Sequence, residues 1–154
     1  MFRFLLALIG VVAITTPVSA QQNTDQQLLS LAVDYRSMVL ENMDKLMCGE
    51  TACAPATREE LRNPPVPDEV AAFVVSRGMT SGVGEICGLD WQARNFLPMM
   101  AYFRRDMGWP NRRMAILGAL HGLGQAIPAN NGVSCTDDTK QAIDASLDFQ
   151  TGQN

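Results

Sequence analysis

The stretch ILGALHGLGQAIP, residues 116–128, holds the chain's only histidine, His121, between Gly118, Gly122 and Gly124. At about 100° per residue, Gly118, Gly122, Ala115, Ala126 and Ala119 fall on one face that carries nothing larger than a methyl group. Leu117, Leu120, Leu123, Ile116 and Ile127 cover most of the rest. A helix that is apolar nearly all round is buried by its neighbours. The stretch therefore predicts a central helix at about 111–127, ending before Pro128. Its small face predicts close approach of a second backbone, with the Ala71–Gly78–Gly82 stripe as the natural partner. On that expectation a leucine at Gly122 is ruinous and one at Gly124 is better tolerated. No strand pattern precedes these glycines, so a dinucleotide-binding loop is not indicated.

Working outward, the same period recurs on both sides. Thr24-x-x-Gln27 reads as a capping box, and Leu28, Leu31, Ala32, Tyr35, Met38, Val39, Met43 and Leu46 mark an amphipathic helix over about 25–47. The proline-rich connector that follows has room for one helical turn near 58–62, opened by a second capping box, Thr57-x-x-Glu60. Pro67, Asp68 and Glu69 suit the start of a helix over about 68–87. It runs through Gly78 and Gly82 and closes at Gly88. Pro98 argues against an unbroken helix there, so Asn95 is expected to cap a helix over about 96–107. Thr136 caps a short last helix, about 137–149, and the tail TGQN is expected to fray. The expected fold is all-α: a compact bundle of four principal helices plus the short C-terminal one.

The ends indicate where such a bundle operates. Arg3, the apolar run Phe4–Ile14, Pro17 and the small Val18 and Ala20 form a secretory signal pattern with cleavage expected after Ala20. The run is short of the roughly 20 residues that a membrane span needs. Removing residues 1–20 leaves 134 of the 154 residues as a single exported domain, 21–154, with no apolar stretch suited to spanning a bilayer. Arg3 leaves with that segment, so Lys plus Arg falls from 12 to 11 against 16 Asp plus Glu, a net charge of −5. That balance argues against a nucleic-acid partner. The expected destination is the periplasm or the exterior.

Four cysteines in an exported chain read as two disulfides. Cys48–Cys53 would close a short loop after a helix end, and Cys87–Cys135 would tie a helix C-terminus to the start of the last helix. The spacing fits neither a zinc site nor covalent haem attachment, so no metal or other cofactor is expected. The nine methionines lie at helical core spacing, without the runs that bind copper.

Two places remain for function. His121, one turn from Gln125, reads first as a histidine satisfied by Gln125, backbone or water at the core edge. A ligand contact or a catalytic base are the alternatives. Arg94, Arg104, Arg105, Arg112 and Arg113 crowd twenty residues against one acid, Asp106. They suit either ion pairs with Glu41, Asp44, Glu59 or Glu60, or an anionic partner such as an acidic protein surface or lipid headgroup. The expected function is that of a non-catalytic interaction or structural protein. The competing expectation is a binder of a small apolar or amphipathic ligand between helices near His121.

Overall fold

A computed structural model describes residues 18–151, and within them the chain is all-α. The helices are α1 Val18–Glu41, α2 Arg58–Arg62, α3 Asp68–Ile86, α4 Leu97–Ala101, α5 Asn111–Asn130 and α6 Asp137–Ser146. Both expected disulfides are present, Cys48–Cys53 and Cys87–Cys135. Residues 1–17 of the expected 1–20 leader and the last three residues of the tail lie outside the described residues.

Local chemistry accounts for most of the boundaries. The Thr57 capping box closes reciprocally, Glu60 N–H to Thr57 Oγ1 at 3.1 Å and Thr57 N–H to the Glu60 carboxylate at 2.9 Å. α3 does run through Gly78 and Gly82, and Gly88 turns the chain with φ +68. Thr136 caps α6 by accepting from Thr139 N–H at 3.1 Å.

Five boundaries differ from expectation; the simplest is that of α6, expected to reach about 149, which ends at Ser146. Within the described residues α1 already runs from Val18, so Thr24 lies inside it and is not its cap; the residues before Thr24, Ala20 among them, are compatible with helix. It stops at Glu41 because Asn42 folds back, its Nδ2 donating to the Met38 carbonyl at 2.8 Å, and a 3₁₀ turn, Met43–Lys45, follows. Asn95 does not cap a helix either. α4 sits between two π-turns, Gln92–Phe96 and Tyr102–Asp106, in one continuous helical rod. The first π-turn carries Pro98 by widening the helix ahead of it. The carbonyl four residues before Pro98, that of Arg94, accepts instead from Phe149 N–H at 2.8 Å. Finally, α5 passes through Pro128 to Asn130, with the pyrrolidine ring packed beside Gly82, where there is no side chain to oppose it.

α5 is central, as expected, but a different face is clasped. A Cβ on Gly78 would overlap the His121 carbonyl oxygen, one on Gly82 the Gln125 carbonyl, and one on Gly124 the Val75 carbonyl. The α3 stripe therefore meets α5 through Gly124, not through Gly118 and Gly122. Gly122 has open space where its Cβ would stand, and Gly118 meets only the Met100 Cε at 3.9 Å. The expectation that Gly122 is indispensable and Gly124 tolerant is reversed. The fully buried Met43, Met99, Val74, Val75, Ile116, Leu117 and Leu120 fill the core around this clasp. Each such side chain contributes about 1.5–3 kcal/mol by leaving water. Buried Arg36 ties α1 to the head of α3, donating to the Val66 carbonyl and pairing with Asp68, both at 2.6 Å.

Candidate functional site

His121 projects from the clasped side of α5 into a closed polar chain. Its Nε2 lies 3.0 Å from Ser81 Oγ on α3. Ser81 Oγ accepts from Asn95 Nδ2 at 2.7 Å, and Asn95 Oδ1 accepts from Arg77 Nε at 2.6 Å. Arg77 continues the chain outward, donating to the carbonyls of Ser146 at 3.1 Å and Leu147 at 2.6 Å. Trp91 and Phe96 wall the imidazole, with ring centroids 6.0 and 4.7 Å away.

Burial, reinforced by the Arg77 cation, pushes the His121 pKa down to about 4. The ring is thus neutral near pH 7. With one proton and two lone pairs, and only one lone pair taken by Asn95, the Ser81 hydroxyl pairs with Nε2 in either neutral tautomer of the ring. A serine hydroxyl on an imidazole resembles an activated nucleophile. Here Ser81 has no exposed surface, so no substrate carbonyl can reach it in this conformation. The expected His121–Gln125 bond is absent as well. Gln125 donates instead to Glu85 at 2.7 Å, because the clasp turns the two α5 side chains toward different residues of α3.

The five arginines separate into two groups. Arg94 is clamped by Asp148 at 2.8 Å and by Asp144, and these hydrogen bonds raise its pKa. Arg112 holds Glu60 through Nε and Nη2 and also reaches the Ala54 carbonyl at 2.8 Å. That grip lowers the Glu60 pKa to about 2. Of the pairings expected from sequence, the one with Glu60 forms. Arg104, Arg105 and Arg113 have no carboxylate partner among the described residues. Arg104 donates to Asn111, Arg113 lies 5.2 Å over the Trp109 ring, and Arg105 is exposed. The three cations thus lie on either side of the bend at Gly108, φ +64, between the α4 rod and α5, near half-exposed Met107.

There is also an apolar groove of about 500 Å³ between the end of α1 and the open side of α5. Met38, Val39, Leu46, Ala119, Gly122 and Leu123 line it. It neighbours His121 in sequence but not in space, since the imidazole turns the other way.

Sequence reasoning missed Ser81, Asn95 and Arg77. One signal was available: Arg77 and Ser81 are four apart and flank the Gly78–Gly82 stripe, so any helix clasped there brings both to its partner. Among the described residues, no His/Cys/Asp/Glu grouping is arranged to hold a metal ion, and no helix is long and apolar enough to cross a membrane. The two disulfides point to an oxidising compartment. No family model, curated protein or solved structure matches the chain.

Proposed function

We propose that this is an exported, non-catalytic helical interaction protein that docks on an anionic partner through Arg104, Arg105 and Arg113. The observation that carries the reading is the sorting of the arginines: two are spent on internal carboxylates, while three at one turn have no carboxylate partner among the described residues. In a chain of net charge −4, such a turn orients the whole molecule toward an anion and supplies planar donors for carboxylate or phosphate. The leader pattern and the paired cysteines support export to the periplasm or beyond, with cleavage after Ala20.

The test is recovery of envelope partners on the tagged mature protein at low and high salt, beside Arg104→Glu/Arg105→Glu/Arg113→Glu. Partner recovery should fall with salt and vanish in the triple variant, with the melting temperature unchanged. Salt-insensitive recovery that survives the reversals defeats this reading.

The α1–α5 groove supports a second reading, the binding of a small apolar or amphipathic ligand between helices. The site moves from His121, whose surroundings are filled, to Met38, Leu46 and Leu123. Ligand extracted from the purified native protein, and lost in Gly122→Phe, would favour it over the arginine turn.

A further inference from the structure

We propose that the α1–α5 groove seats a single-chain fatty acid, with its acyl chain against Met38, Leu46 and Leu123 and its carboxylate on Lys45. The proposal rests on the reading of that groove as a ligand site and names the ligand. The polar residues of the groove decide its chemistry. Lys45 is the only charged residue that lines it, and Asn42 is the only other polar one. Both belong to the turn that ends α1, where Asn42 precedes the 3₁₀ turn Met43–Lys45 as its N-cap. Asn42 Nδ2 donates to the Met38 carbonyl at 2.8 Å, while its Oδ1 accepts from Lys45 Nζ at 2.5 Å. The ammonium is thereby steadied beside the apolar lining and keeps two N–H donors for an incoming anion. No carboxylate pairs with Lys45 among the described residues. Its acidic neighbours in sequence, Glu41 and Asp44, are exposed and do not line the groove.

The remaining lining suits one acyl chain. On the α1 side, Met38 is 42 % exposed and Leu46 half-buried, an apolar wall left partly in water. The Met38 thioether can adapt to a chain laid against it. On the α5 side, Ala119 offers a methyl group and Gly122 has open space where a Cβ would stand, so the floor is clear of side chains. The volume, about 500 Å³, lies in the lower half of the roughly 300–1,000 Å³ typical of small-molecule sites. That favours one chain over the paired chains of a phospholipid. One ammonium balances one carboxylate, whereas a more highly charged phosphate group would find no second cation in the lining. A second groove supplies the contrast. About 680 Å³ lies between α1 and α3 against Leu28, Leu29 and Phe73, but Asp25 and Glu69 line it too. Those carboxylates repel a fatty acid, so charge complementarity assigns it to the α1–α5 groove.

The experiment is a titration of the oxidised protein at pH 7, where a carboxylic acid is ionised, followed through its amide NMR signals. The probes are decanoate, decanol and decyltrimethylammonium, which share one chain and differ in head charge. Decanoate should shift the amides of 38–46 and 119–123 and leave those of 25–29 and 69–76 in place. It should bind about fivefold more tightly than decanol, with decyltrimethylammonium the weakest at this groove. Lys45→Gln should remove the advantage of decanoate without weakening decanol, and Lys45→Arg should retain it. Both changes fall on an exposed side chain, so the melting temperature should not move. Gly122→Phe should abolish binding of decanoate and decanol alike. Equal affinities for the three probes, unaltered by Lys45→Gln yet lost in Gly122→Phe, would overturn the fatty-acid assignment and leave the groove a ligand site. Decanoate shifts confined to 104–113 would overturn it in favour of the arginine turn. Absence of binding by all three probes would overturn both the assignment and the groove reading beneath it.

Discussion

α5 carries glycine on two sides, and on only one of them is it required by packing. On the clasped side, Gly124 lies under the Val75 carbonyl while Gly78 and Gly82 of α3 lie over the His121 and Gln125 carbonyls, so two backbones touch along two turns. On the open side, Ala115, Gly118, Ala119, Gly122 and Ala126 are exposed or half-exposed, and Ala119 and Gly122 line a groove. The same residue types thus serve a helix–helix contact on one side and a surface on the other. The contrast teaches that a small-residue stripe states what a helix permits, and its neighbour decides whether the permission is used.

The sharpest way to break this contrast is Gly124→Leu. Its side chain must displace the Val75 backbone, so we expect a loss of about 3 kcal/mol or more, or failure to fold. Gly78→Ala should do comparable harm with a single methyl group, whereas an unaltered denaturation midpoint for either would show that the clasp is soft.

Next in size is the effect of pH on the clasped side. The folded His121 pKa, about 4, lies below the ordinary value of 6.5, so the unfolded chain takes up the proton first. The contribution is complete above pH 6.5, shrinks as the pH falls, and is gone below pH 4, a loss of about 3 kcal/mol. Urea titrations at pH 7 and 4.5 measure it. If His121→Gln shows the same decline as wild type over that interval, the loss belongs to other groups.

A smaller effect tests the polar seam inside the clasp. Ser81→Ala leaves Nε2 of His121 buried without its hydrogen-bond partner, at a cost of about 1–3 kcal/mol. Equal stability of the variant would mean that the seam is not under load.

The smallest effect has the opposite sign. Gly122→Ala adds a methyl group to open space in a helical backbone and should stabilise by up to about 1 kcal/mol. A clear destabilisation would place an unrecognised contact on the open side and erase the comparison.

What was legible in the sequence is what four or five neighbouring residues decide among themselves. The Thr57 and Thr136 caps, the close of α3 at Gly88 and the all-round apolar character of α5 are of this kind. Proline resisted the same reading because its outcome depends on a distant donor: Arg94 can lose its helical partner at Pro98 only because Phe149 supplies another. Asn95 resisted it too, since a good capping residue proved more valuable facing Ser81 and Arg77. The arginine turn was visible as a charge excess, yet the removal of Arg94 and Arg112 from it needed Asp144, Asp148 and Glu60 in place. The chosen side of α5 was beyond reach for the same reason: both sides satisfy the helical period equally.

The small hairpin that carries Cys48 and Cys53 has a consequence for the order of assembly. A chain made from its N-terminus presents these two thiols first, and Cys87 must then wait for Cys135, 48 residues further on. During that wait an unpaired Cys53 would be the nearest competitor for Cys87. The hairpin removes it from competition: Cys48 N–H to the Thr51 carbonyl and Cys53 N–H to the Leu46 carbonyl, both at 2.8 Å, hold the two thiols together across a separation of 5. With Cys48 and Cys53 paired locally, Cys135 is the one other cysteine left for Cys87.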